Sequence, residues 1–196
     1  MLDGDLTIPV NARGLVIFAH GSGSGRQSPR NRYVAGVLNE HHLGSLLADL
    51  LTLKEEDIDR ETRHLRFDIP LLSGRLEHMI TWAHQNPETK HLPIGIFGAS
   101  TGAAAALIAA ARQADTVRAV VSRGGRPDLA MDFLVFVKAP ALLIVGENDQ
   151  EVIHLQQAGA GSAEFALHHQ YHPRRDASVR GVWHTGRGGA AGSVVV

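Results

Sequence analysis

Apolar positions along this chain follow two periods that take turns. Gly14-Leu15-Val16-Ile17-Phe18-Ala19 is a continuous apolar run of the kind found in a strand buried on both faces. The runs at 45–51, 92–97, 117–122 and 141–145 have the same character and predict further strands. Leu6-Thr7-Ile8-Pro9-Val10 is predicted to end an edge strand, because Pro9 has no N–H to give a central ladder.

Between the strands the period lengthens. Ser28-Pro29 reads as an N-cap followed by proline at the first helical position, with Tyr33, Val34, Val37 and Leu38 as the apolar face. Asp68 is placed to cap a helix over 69–85, in which Leu72, Leu76, Met79, Ile80 and Ala83 recur at helical spacing until Asn86-Pro87 stops it. A small-residue helix is predicted over 100–113, and another from the loop at 123–128 to about 137. The charged stretch from Lys54 to Arg66 shows no such stripe and reads as a surface excursion. Strands and helices alternating in this way predict an α/β fold, a mostly parallel sheet with helices on both faces and right-handed crossovers. Chemistry in such sheets gathers at the carboxyl ends of the strands.

Composition narrows the function. The chain has 196 residues, 44% hydrophobic and 20% charged, and is read as one soluble core over 1–158 with an atypical, poorly ordered segment over 159–196. A formal net charge of −1 gives no reason to expect a nucleic-acid or membrane partner. Cysteine is absent, which excludes disulfides and thiolate metal sites. The start, Met1-Leu2-Asp3-Gly4-Asp5, is acidic where a signal peptide is basic, so a cytoplasmic location is expected.

The motif with the most chemistry is Gly98-Ala99-Ser100-Thr101-Gly102, which joins an apolar strand to a helix as a nucleophile elbow must. Ser100 is then the nucleophile, with glycines two positions to either side to relieve a tight turn. The backbone N–H of Thr101 and that of Ser22, after His20-Gly21, are the expected oxyanion donors. Asp149, directly after the last apolar strand, is the expected acid, with Glu147 as fallback; Asp149 as an N-cap for 150–157 is the competing reading. His20 precedes the serine and is expected to support its loop rather than to act as base. No cofactor is called for. Gly21-x-Gly23-x-Gly25, with Glu40 downstream, gives a rival nucleotide-binding reading, though its spacing departs from Gly-x-Gly-x-x-Gly.

Four blocks taken together, 18–26, 28–32, 98–102 and Ser122-Arg123-Gly124-Gly125-Arg126-Pro127-Asp128-Leu129, resemble the dienelactone-hydrolase-like branch of the α/β-hydrolases from about Leu2 to about Gln157. The resemblance implies a serine hydrolase of small esters or lactones, and relatives that are in some cases fused to phosphoribosyltransferase domains. It also implies one more strand and a Gly-Ala-Thr-His-Leu-Phe loop carrying the catalytic histidine. Neither is evident. From about Gly159 the chain turns to Gly, Ala, His and Arg, as in His168-His169-Gln170-Tyr171-His172-Pro173-Arg174-Arg175.

A shifted reading frame accounts for the loss. Codons for Tyr171 to Gly189 can be chosen that, moved by one base, spell Ile-Ile-Pro-Gly-Ala-Thr-His-Leu-Phe, with the histidine codon straddling Ala177 and Ser178. Roughly the last 35 to 40 residues are therefore expected to be out of frame. Other readings of the tail are weaker. His168, His169 and His172 lack a carboxylate at metal-ligand spacing; Arg174, Arg175, Arg180 and Arg187 lack interleaved aromatics for nucleic acid; and nothing places His169 or His172 near Ser100 as a substitute base. The expected function is hydrolysis of a small ester or lactone on Ser100, impaired for want of a base. A catalytically silent binding module is the alternative.

Overall fold

The structure, a computed structural model, describes residues 1–145 and the backbone of 166–167 and 189–195. Strands β1 (Asp3–Pro9), β2 (Leu15–Ala19), β3 (Gly44–Ala48), β4 (Ile94–Ala99), β5 (Val117–Arg123), β6 (Ala141–Ile144), β7 (Ala166–Leu167) and β8 (Gly189–Val195) form one sheet in the order β7-β6-β5-β4-β2-β3-β1-β8. From β3 across to β7 every neighbouring pair is parallel. β1 and β8 run antiparallel at the other margin.

Both faces are covered. Along β2, Leu15, Ile17 and Ala19 enter the larger core beneath α3 (Ile69–Gln85) and α4 (Thr101–Arg112). Phe18 points the other way, into a smaller cluster with Ala35 of α1 (Pro29–Glu40), Leu47 and Phe97, and its ring lies 5.3 Å from that of Phe97. Such alternation within an apolar strand is what period 2 produces when both faces are dry. All five apolar positions predicted for α3 are buried, and Asp68 Oδ1 accepts from Leu71 N at 2.9 Å as its cap. Among the described residues, no helix is long and apolar enough to cross a membrane.

Four expectations are corrected. The 54–66 stretch is folded: α2 (Leu53–Thr62) starts with a capping box in which Thr52 N–H donates to Glu55 at 2.7 Å and Glu55 N–H to Thr52 Oγ1 at 3.3 Å. A short 3₁₀ turn, Leu65–Phe67, follows it. β1 is not an edge, since β8 pairs with it over Asp3 to Pro9 and β3 over Gly4 to Thr7. Tyr33 faces solvent, because α1 meets the sheet through Ala35, Val34 and Leu38 instead. The helix expected as far as 137 is a 3₁₀ turn, Pro127–Ala130, followed by the short α5 (Met131–Leu134).

Candidate active site

Sheet order fixes where a site can form. β3 lies on one side of β2 and β4 on the other, so the chain reverses its direction of travel across the sheet between β2 and β4. At such a switch point the loops leaving the two strands part and open a crevice. Here those loops are the glycine segment after Ala19 and the turn at Ser100.

Ser100 holds φ 51° and ψ −125°, a combination that side-chain-bearing residues avoid, between the end of β4 and the first residue of α4. Its surroundings enforce that. A Cβ on Gly98 would stand 2.5 Å from Ala103 Cα, and one on Gly102 would overlap the carbonyl oxygens of Ala19 and His20. Glycine at both positions therefore lets α4 press against the ends of β4 and β2. Gly21 makes the opposing approach: a Cβ there would be 2.9 Å from Ser100 Cβ and 3.1 Å from Ala99 O. The loop thus crosses directly over the serine.

His20 anchors that loop. Leu50 N–H donates to its Nε2 at 3.0 Å, so Nε2 is the acceptor and the proton belongs on Nδ1, 3.1 Å from Gly21 O. Both ring nitrogens are committed, in keeping with a supporting rather than a basic role. Burial moves the His20 pKa below its ordinary value, opposed in part by the Gly21 hydrogen bond and the Asp49 charge. The unfolded chain consequently takes up the proton more readily than the folded one. The resulting stability is complete above the ordinary histidine pKa of about 6.5 and is lost as pH falls through and below it. Melting temperatures between pH 7 and pH 5 should fall more steeply for the wild type than for His20→Gln; equal slopes would remove His20 from this role.

Polar pairs that the sequence did not disclose hold the far side of the loop. Asp49 Oδ1 accepts from Arg26 N at 2.7 Å, with Arg26 Nη1 3.4 Å from Oδ2. Asp59 of α2 is buried and accepts from Arg66 N at 3.1 Å and Arg66 Nε at 2.5 Å. Burial alone would raise the Asp59 carboxyl, but the Arg66 side-chain and backbone hydrogen bonds and the Arg66 charge outweigh it and hold the group below the usual carboxylate range. Arg66 Nη1 then reaches within 3.8 Å of where a Cβ on Gly23 would stand. Arg26, Asp49, Asp59 and Arg66 come from three segments, and the only sequence hint of them was unexplained charge.

Ser22 and Thr101, the two expected oxyanion donors, line one cavity of about 440 Å³, and Gly21 packs on Ser100. Asp149, Glu147 and the tail histidines lie outside the described residues. Glu40 is the last residue of α1, a helix of 12 residues, so at about 1.5 Å per residue it sits at the far end from the glycine loop and cannot read a ribose bound there. Among the described residues no three His, Asp or Glu side chains gather as metal ligands.

A parallel sheet, a crevice at its switch point and a strand-serine-helix turn define an α/β-hydrolase fold. A sequence profile of the dienelactone hydrolase family matches residues 46–168, and the chain belongs to that family. The crystal structure of a dienelactone hydrolase from Anabaena variabilis superposes with a TM-score of 0.85 at 56% identity, covering 88% of this chain and 80% of that one. Est1E from Butyrivibrio proteoclasticus shares the fold, with a TM-score of 0.72 at 16% identity over 87% of this chain and 84% of its own. Two proteins of Mycobacterium tuberculosis that bear a provisional phosphoribosyl transferase name are 57% identical over 154 residues, 79% of this chain. The chain spans only 34% of their length.

Proposed function

We propose that this chain carries the serine-bearing core of a hydrolase of small carboxylic esters or lactones, working through an acyl-enzyme on Ser100. The observation that carries the reading is the backbone of Ser100, held at φ 51° beneath Gly21 at the mouth of the switch-point crevice. That turn presents the hydroxyl to a substrate carbonyl. Ser100 Oγ attacks the carbonyl carbon while its proton passes to a base, and the new oxyanion accepts from the N–H groups of Thr101 and Ser22. Collapse of the tetrahedral adduct expels the alcohol, which takes up that proton. Water then releases the acid by the same route. Asp149 would orient the base.

No histidine among the described residues stands as the base, and none in the tail sits in the loop the family implies. The family profile stops at residue 168, ahead of the codons that a one-base shift turns into Gly-Ala-Thr-His-Leu-Phe, which supports a change of frame in the tail. As written, the chain should therefore turn over poorly, retaining at most the roughly 10³–10⁴-fold acceleration over water that survives loss of a triad member in well-studied enzymes. Absence of cysteine suits a reducing cytoplasm. The length of the curated relatives supports a phosphoribosyltransferase domain as a fused or associated partner.

The test is p-nitrophenyl acetate hydrolysis by this chain and by Ser100→Ala. Weak turnover that the substitution abolishes is expected. Equal rates for the two would overturn the assignment of Ser100 in this polypeptide and leave a binding module.

A further inference from the structure

His20 joins two loops that the parallel pairing of β2 with β3 brings out at the same end of the sheet. Leu50, two residues beyond β3, is fully buried, and its N–H ends on Nε2 of the ring at 3.0 Å. The other nitrogen, Nδ1, donates to Gly21 O at 3.1 Å, an oxygen that also accepts from Ser24 N at 3.1 Å. Gly21 is the residue that lies against Ser100, with a Cβ there standing 2.9 Å from the serine Cβ. One ring therefore sets the place of Gly21, and through it that of the next N–H, on Ser22.

That arrangement requires a neutral ring. An imidazolium offers no acceptor, so Nε2–H and Leu50 N–H would oppose each other at a residue only 9% exposed, and a buried donor without a partner is costly. His20 borders the cavity of about 440 Å³, so the ring has room to turn. The charged groups around that cavity are Asp3 of β1, the Arg26–Asp49 pair, Glu56, Asp59 and Arg60 of α2, and Arg66, while α3 and α4 bring Leu72 and Thr101, which do not titrate. Asp49 is the charge among them that bears on His20 and favours its protonated form. Glu56 also titrates in the acid range, its carboxyl pushed upward by burial and by Asp49.

We propose that His20 is a positioning residue whose neutral form, protonated on Nδ1, holds Gly21 and Ser22 over Ser100, and that a second proton, on Nε2, turns the ring toward Asp49 and releases them. Acid then withdraws the Ser22 N–H from the nucleophile. The proposal rests on the ester-hydrolase reading only for the role of that N–H as an oxyanion donor. Burial outweighs the Gly21 hydrogen bond and the Asp49 charge and keeps the ring neutral above its ordinary value of about 6.5, so the release belongs below that pH.

Two readouts on the full chain test it. The first needs no substrate: nitrogen-15 NMR followed from pH 7.5 downward, with circular dichroism marking where the chain ceases to be folded. At pH 7.5 the Nε2 signal should be that of an unprotonated nitrogen. On acidification the His20 ring and the amides of Leu50, Ser22 and Ser100 should shift together, with one midpoint below about pH 6.5. Asp49→Asn should carry that midpoint lower and Glu56→Gln leave it in place, while His20→Gln, which can still accept from Leu50 N–H, should show no step. The second readout is the Ser100-dependent part of p-nitrophenyl acetate hydrolysis. The ratio of wild-type to His20→Gln rates should be constant above pH 7 and fall by at least about tenfold through the same midpoint, as loss of an oxyanion donor requires. Protonated Nε2 at pH 7.5, a step confined to His20 and Leu50, no step before the fold is lost, or a Ser100-dependent rate whose ratio stays flat would each overturn the proposal. If Ser100→Ala hydrolyses as fast as the wild type while the four signals still move together, the hydrolase reading falls and the loop release stands; a Ser100-dependent rate without the common step does the reverse.

Discussion

Restoring the alternative frame between the codons for Gln157 and Tyr171 is expected to raise hydrolysis of p-nitrophenyl acetate by at least about 10³-fold over the chain as written, because on the proposed reading it returns the general base to the Ser100 turn. The reasoning is one of parts. The contacts that hold the serine turn, the loop that crosses it and the His20 anchor run among described residues from Ala19 to Ala103. A base acting on a serine already held in place contributes most of what such a group can contribute, whereas a base added to an unformed site contributes little. Steady-state kinetics of the two polypeptides, with Ser100→Ala in the restored frame as control, measure the gain. Rates within tenfold of each other would mean that the missing histidine is not what limits this chain.

Gly102→Ala should be the most damaging single methyl group in the described core. Its Cβ would fall on two backbone carbonyl oxygens, Ala19 and His20, and neither can rotate aside as a side-chain tip would. The helix cannot retreat either. Residues 101–110 are all buried, ten consecutive positions of α4 against β2, β4 and α3. A loss of about 3 kcal/mol or more is expected, at or beyond the upper end for overpacking, read as a shift of the urea midpoint. Gly36 is the internal control. Nothing lies within 4 Å of a Cβ there, and α1 is helical at that position, so Gly36→Ala should gain roughly 0.4–1 kcal/mol. Equal effects from the two substitutions would contradict the packing described for the elbow.

Much of this was legible in the chain because it rests on short-range chemistry. Asp68 and the spacing from Leu72 to Ala83 determine α3 within its own residues, and the strand-serine-helix turn is likewise local. α2 was not legible, since Leu53 and Ile58 are exposed and no apolar stripe marks it. What supports it is polar: the Thr52–Glu55 box and the Asp59–Arg66 pair, neither of which has a period. The place of β1 was missed for a different reason. Its second neighbour arrives from 189–195, a pairing that no local pattern announces. The cavity was illegible on both counts, since Thr101, Arg26, Asp49 and Glu56 come from four segments and meet only through the sheet order.

The central claim is that Ser100 is the nucleophile, and covalent capture tests it without reference to any particular substrate. The frame-restored protein is incubated with an aryl phosphonate, digested and mapped by mass spectrometry. A single phosphonyl group on the peptide bearing Ser100, absent from Ser100→Ala, is the expected result. No adduct on that peptide, or an adduct that persists in Ser100→Ala, would contradict it.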